Sequence, residues 1–431
     1  MSTRAIKPIW RWLIFSGIFF AAASLVFLAA QHALAAYWAA SSDPGTLLRA
    51  ATREPQNAAL WYQLGRYWQL NFEHADLPLA ISYYRRATSI NPRPASYWMD
   101  LAGAYETTGN TAQAEEAFRR AREVYPVSAE AAWRLGNFLL RQGRIPEAFQ
   151  NIHDALVSDP KFTALAVSRC WRSTGDIHRI LTDVLPDREG ANWDAIQFFV
   201  DEREPVPAMA IWERIAAHRS SSPVSQALPL LDMLVETRHA DDARKVWVQA
   251  LSVAGIPAEA GPYSGLVWNG GFEQEFLNGG FDWRVSPAEG AQMGWDEQIL
   301  HSGRRSLRVD FDGSANVDFQ NVWQYVLVQP ATRYRFVAFF RAQDLSTDSG
   351  MRFEIRDVSN PGAPLRFTPN VSGTQPWSEE AAEFTTSPDT KLLQIVLRRT
   401  RSEKLGNKIR GTAWIDEVTI VPLSPGARAT R

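Results

Sequence analysis

The residues best suited to recognise a small ligand lie toward the end of the chain, where Trp283, Trp295, Trp323, Tyr325 and Trp377 are interspersed with Gln324, Arg352, Arg356 and Gln394. A sugar ring offers an apolar C–H face edged by hydroxyls, so flat aromatic side chains beside polar ones are the chemistry that holds it. Trp295, Trp323, Tyr325 and Trp377 are the candidate glycan platforms, while Trp283 and Trp414 read as core residues. Catalytic chemistry has little to stand on. The histidines at 32, 74, 153, 178, 218, 239 and 301 are scattered and form no HExxH pair, and no GxSxG, phosphate-binding glycine loop or GxGxxG occurs. The many carboxylates contain no distinguished pair for glycoside hydrolysis. A basic cluster, Arg398, Arg399, Arg401, Lys404, Lys408 and Arg410, reads as a solvated loop between two strands, with attraction of an acidic polymer or lipid headgroups as the alternative.

Composition bounds the remaining classes. At 431 residues the chain is long for one core, and a hydrophobic fraction of 45% excludes a disordered chain. A net charge of −2 argues against nucleic acid as a partner. The single cysteine, Cys170, excludes an internal disulfide and any multi-cysteine metal site. With 17 Trp and 22 Phe, packing is the first explanation for any aromatic residue and stacking on sugar the second.

The elements that must position these residues begin with a repeat. Leu101, Phe118, Ala121 and Pro126 recur as Leu135, Ile152, Ala155 and Pro160, 34 positions on, and Trp98, Ala102, Tyr105, Gly109 and Ala114 complete the first copy. This large-and-small pattern over 98–160 resembles the tetratricopeptide repeat, two antiparallel helices per unit. Trp61, Leu64, Gly65 and Trp68 open an earlier unit, which Ala80, Tyr84, Ala87 and Pro92 close after extra residues near 71–74. Downstream, Ala208, Trp212 and Ile215, then Ala243, Trp247 and Ala250, keep second-helix spacing, so 163–257 reads as degenerate hairpins of the same solenoid. The resemblance implies a concave face built by the first helix of each unit. Residues one, five and eight positions beyond the tryptophan position face it, which nominates Tyr62, Arg66, Gln69, Met99, Glu106, Trp133 and Asn137 as a protein-partner groove, with Gly103 and Leu140 beside them. Trp133 stands one place beyond Ala132, which occupies the position of Trp98; it either turns inward to fill the vacated space or anchors a partner.

Arg4, Lys7 and Arg11 precede an uncharged stretch over 12–30 that continues to Ser42 with His32 as its one ionisable interruption. That length matches a membrane-crossing helix, and the basic residues predict a single-pass inner-membrane protein, N-terminus inside, with the bulk of the chain periplasmic. Cleavage after Ala33, Leu34 and Ala35, giving a secreted protein, is the alternative. Beyond Leu266 the helical spacing gives way to alternating runs at 306–311, 322–328, 334–340, 351–355, 392–397 and 413–421, separated by turn residues. They indicate an antiparallel β-sandwich. Asn269, Gly270, Gly271, Phe272 and Glu273 open it, His301 to Leu307 enter a strand, and Trp414, Ile415, Asp416, Glu417 and Val418 close it. That order resembles jelly-roll domains of the carbohydrate-binding-module type. The resemblance implies a structural calcium held by Glu273 and Asp416, with backbone oxygens near 303–305.

The fold class expected is therefore α then β. An anchor over 1–40 and a connector over 41–56 lead into tetratricopeptide repeats over 57–160 and degenerate helical repeats over 161–255. A linker over 256–265 precedes the jelly-roll sandwich over 266–423, and 424–431 form a tail. The function expected is that of a membrane-anchored extracytoplasmic scaffold, its solenoid on a protein partner and its sandwich on glycan, in surface polysaccharide assembly or export. A glycan-active enzyme or its accessory subunit, and a purely structural adaptor, are the alternatives.

Overall fold

The computed structural model describes residues 8–39, 43–217, 223–256, 266–405 and 407–423. The chain divides into two compact units, Met1–Asp187 and Arg188–Arg431, so the last helices group with the sandwich rather than with the repeats. The linker expected at 256–265 lies almost wholly outside the described residues, as does the tail.

In the first unit α1 (Pro8–Ala39) is followed by α2 (Pro44–Arg53), which occupies the expected connector. Asp43 makes α2 possible: its Oδ2 accepts the N–H of Thr46 at 2.7 Å and Pro44 needs no acceptor at the first position. Three hairpins then pair α3 (Ala58–Leu70) with α4 (Leu77–Ile90), α5 (Ala95–Thr107) with α6 (Thr111–Val124), and α7 (Ala129–Arg141) with α8 (Ile145–Ser158). The repeated positions have physical reasons. Trp61 and Trp98 donate their indole N–H to the carbonyls of Pro55 and Pro92, at 3.1 and 2.8 Å, tying each hairpin to the proline that precedes it. Gly65 and Gly136 bring paired helices together: a Cβ on Gly65 would meet the Tyr84 ring at 2.5 Å, and one on Gly136 would meet Ile152 at 2.7 Å. A last, shortened hairpin pairs α9 (Thr163–Thr174) with α10 (Ile177–Arg179), which widens into a π-turn over Ile180–Val184.

The inner-membrane expectation is corrected. Crossing the hydrocarbon needs about 20 apolar residues, and among the described residues no helix is long and apolar enough to cross a membrane. The orientation drawn from Arg4, Lys7 and Arg11 falls with it.

The second unit holds α11 (Glu189–Asp201), α12 (Pro205–Ala217), α13 (Val224–Glu236) and α14 (Ala240–Val253), then ten strands. Ala208, Trp212 and Ile215 are buried on α12, and Ala243, Trp247 and Ala250 on α14. The strands are β1 (Arg284–Val285), β2 (Ala291–Asp296), β3 (Ser306–Asp312), β4 (Phe319–Leu327), β5 (Arg333–Leu345), β6 (Arg352–Asp357), β7 (Arg366–Phe367), β8 (Gly373–Thr385), β9 (Leu392–Arg399) and β10 (Arg410–Pro422). They form two antiparallel five-stranded sheets, ordered β1-β4-β9-β6-β7 (sheet A) and β2-β3-β10-β5-β8 (sheet B). Inward residues from both, among them Trp283, Phe319, Phe336, Phe340, Phe353, Ile395 and Ile415, fill the space between. The opening segment lies along the closing strand: Leu266 N donates to Ile420 O at 3.1 Å and Val418 N to Gly270 O at 2.9 Å.

Candidate functional site

On the repeats, the nominated groove residues form a polar ladder rather than an open set. The Tyr62 hydroxyl donates to Asp100 at 2.6 Å, Arg134 reaches the other oxygen of Asp100 at 3.1 Å, and Arg66 stands 4.0 Å away. Burial pushes the Tyr62 phenol well above its ordinary range. Gln69 accepts the Tyr84 hydroxyl at 2.6 Å, and Arg141 grips both oxygens of Glu106 at 2.7 and 2.9 Å. These bonds join one hairpin to another or one helix to its mate, so Tyr62, Gln69 and Glu106 hold the stack together, and Arg66 is the exposed member. Three of the nominations are corrected. Met99 is buried against Ala121 and Ala131. Trp133 turns inward, its ring stacked 5.0 Å from Phe162 with Arg169 over it, because Ala132 leaves the room that Trp98 fills in the preceding unit. Asn137 is buried, donating to Trp133 O at 2.7 Å and accepting from Arg169.

On the sandwich, each nominated platform already has a neighbour on it. Trp323 and Tyr325 of β4 lie under the Arg284 guanidinium, 4.5 and 5.0 Å from the ring centres, and Arg284 is pinned there by Asp232 of α13 and by Gly280 O. Trp295 points inward: its backbone partner is buried Leu307, and Phe276 and Arg305 enclose its ring at 4.2 and 4.1 Å. Trp377 on edge strand β8 meets His301, which stacks on Phe339 at 3.8 Å. The four do not come together on one surface, since they belong to β4, β2 and β8. Gln324 is buried, bonded to Trp268 O, and is no ligand neighbour.

What the outer face of sheet B does assemble is a cleft of about 720 Å³ lined by Asp296, Arg308, Gln343, Arg410, Thr412 and Trp414, among others. Trp414 pairs across the sheet with Arg308 on one side and Arg341 on the other, and both guanidinium groups flank its ring at 5.9 and 5.7 Å. Its indole N–H donates to Asp296 at 2.8 Å. Burial alone pushes the Asp296 carboxyl up, but the donors Ile299, Trp414 and Gln298 outweigh it and hold the group below its ordinary value. Arg308 and the Thr412 hydroxyl both bond Asp310. Sequence reading took Trp414 for a buried residue, and it is buried, 3% exposed, but on the outer face of sheet B under Arg308 and Arg341 rather than between the sheets. Alternation gives the side: Ala413 and Ile415 join the core between the sheets, so Trp414 lies on the opposite face, where the flanking guanidinium groups cover it.

Glu273 and Asp416 are brought to one corner, where both bind the 301–304 turn. Asp416 accepts the N–H groups of His301 and Ser302 at 2.9 and 3.1 Å and of Glu417 at 2.8 Å. Glu273 accepts Arg304 N at 2.8 Å and its guanidinium at 3.2 Å. A calcium shell needs six to eight oxygens turned on the ion. Here N–H donors face all four carboxylate oxygens, and among the described residues no group of three or more His, Cys, Asp or Glu is placed to hold a metal. The corner suits amide donors rather than the calcium that the resemblance implies. Asp416→Ala leaves three N–H groups without an acceptor in a fully buried place and is expected to destabilise by about 3 kcal/mol. Burial also pushes the Asp416 carboxyl up to about 6, above its unfolded 3.8, so the folded form holds that proton more tightly. Stability from this group is greatest below pH 4 and lost as pH rises through 6. Thermal melts of wild type and variant should therefore diverge as pH falls from 7 to 4. The wild-type melt should not move with EDTA; a calcium-dependent rise would restore the metal.

Helical repeats followed by a two-sheet sandwich make up the described chain. The family model described as tetratricopeptide repeat matches residues 69–123 and 100–161, and such repeats are protein-interaction modules. No curated protein matches the chain in sequence. Three solved structures are similar in part. MamA is 14% identical over 40% of this chain and 83% of its own, with a TM-score of 0.27. The enzymatically active domain of bacteriophage CBA120 tailspike protein 4 is 16% identical over 38% of this chain and 22% of its own, at 0.29. A family 16 carbohydrate-binding module is 17% identical over 36% of this chain and 99% of its own, at 0.26. At such identities and TM-scores none of the three carries a conclusion about this chain.

Proposed function

We propose that this chain is a two-site binding protein, its repeats engaging a protein partner and the outer face of sheet B engaging a glycan. The observation that carries the glycan half is the polar lining of the cleft beside Trp414, where carboxylates, guanidinium groups, an amide and a hydroxyl surround an indole that is itself only 3% exposed. That mixture complements a polyhydroxylated ring, whose hydroxyls both donate and accept. Nothing in the cleft pairs a proton donor with an activated nucleophile, so the reading is of binding without turnover.

Affinity electrophoresis of the full chain through gels containing cellulose derivatives, xylan, laminarin or alginate tests it. At least one polysaccharide should retard the protein, and Arg341→Ala with Gln343→Ala should weaken that retardation about tenfold or more while leaving the melt unchanged, since both side chains lie on the solvent face of β5. A chain retarded by none of them is a purely structural adaptor. Retardation indifferent to the two substitutions places the sugar elsewhere.

A further inference from the structure

Within the second unit a separate cleft of about 540 Å³ opens between α14 and the sandwich, inside the size range of about 300–1,000 Å³ typical of small-ligand sites. Trp247, Trp268, Phe281 and Tyr325 supply aromatic wall. Trp247 is held by edge contacts to Trp268 at 5.6 Å and Phe281 at 5.9 Å, with its six-membered ring close against Gly280. Trp268 is fixed from behind, its carbonyl accepting Gln324 Nε2 at 2.8 Å, and it stays half-buried. The walls are thus set before any ligand arrives, which lowers the ordering cost of binding.

The polar groups share one character. Among the described residues neither the Trp268 indole N–H nor the Tyr325 hydroxyl has a hydrogen-bond partner, and Arg244 at the rim has no ion pair, whereas Lys391 is neutralised by Asp241 at 2.5 Å. Unused donors and one unbalanced positive charge ask for acceptors and one negative charge. We infer that this cleft binds an acidic saccharide unit, a sugar bearing a carboxylate, with its C–H face on Trp268 and its carboxylate on Arg244. This site is distinct from the Trp414 face and stands without it.

Calorimetric titration of the full chain, with tryptophan fluorescence as a second readout, compares a glucuronic-acid oligosaccharide with a glucose oligomer of equal length. The acidic ligand should bind about tenfold or more tightly and lose affinity as salt is raised. Arg244→Ala should abolish the preference, Arg244→Lys should restore part of it, and Trp268→Ala should weaken both ligands. Melting temperatures of the Arg244 variants should match wild type, because that side chain is exposed. Equal affinity for both oligomers, or acidic binding that survives Arg244→Ala, overturns the assignment. So does acidic binding that fails with Arg341→Ala but not with Arg244→Ala, which moves the ligand to sheet B.

Discussion

Arg399→Met is expected to lower the thermal midpoint of the sandwich by roughly 10 °C, from a loss of about 3–5 kcal/mol. Arg399 ends β9 and is fully buried, and among the described residues no carboxylate is bonded to it. Its guanidinium instead joins three loops, donating to Asn316 Oδ1 at 2.9 Å and Val317 O, to Ser349 O at 3.2 Å and Thr347 Oγ1 at 3.3 Å, and to Asn407 O at 3.1 Å. Burial pulls its pKa down from the ordinary arginine value, yet guanidinium remains charged in proteins. Removing it strands the carbonyl oxygens of Val317, Ser349 and Asn407 without this donor. Arg399→Lys should recover little, because one ammonium group has three donors on a single nitrogen and cannot span all three loops. Calorimetric melting of the full chain reads the effect; a shift under about 2 °C would mean that the loops hold themselves.

Gly411→Ala is expected to do more. Gly411 lies in β10 at φ +119°, a backbone conformation that side chains rarely adopt, and a Cβ there would meet the Asp344 carbonyl oxygen at 2.3 Å and its carbon at 2.5 Å. Both neighbours are main chain, so no rotamer change relieves them. β10 is the central strand of sheet B, paired on one side with β3 and on the other with β5. Moving it breaks both ladders and the Trp414 cleft together. The expected outcome is loss of the cooperative sandwich transition and of soluble yield, with helical circular dichroism from the repeats retained. A variant that melts within a few degrees of wild type would show that β5 can yield at Asp344.

The repeats were legible because their helices meet through positions whose size is fixed by contact: Gly65 against Tyr84, and Gly136 against Ile152, cannot be exchanged without separating the pair. The longer strands were legible for the same reason, since β4, β5 and β9 alternate or bury continuously. β8 was missed because almost none of its residues is buried, so an edge strand carries no period to read. β1 and β7 are two residues each. The site was less legible than the fold. A run of like charges looks the same whether solvated or buried, and only the loops around Arg399 distinguish it from an exposed member of the same cluster. Indoles on strands likewise announce area and not direction, which is why Trp295 was taken for a platform, and why Trp414, rightly read as buried, was not placed on the outer face.

Because Leu266 and Gly270 lie alongside Ile420 and Val418, the polypeptide comes into the β-domain and goes out of it at neighbouring points. A body with its two ports side by side behaves as a plug-in cartridge. Its ends can be joined and reopened elsewhere while the sheets stay intact, so long as α11–α14, which belong to the same compact unit, remain packed with it.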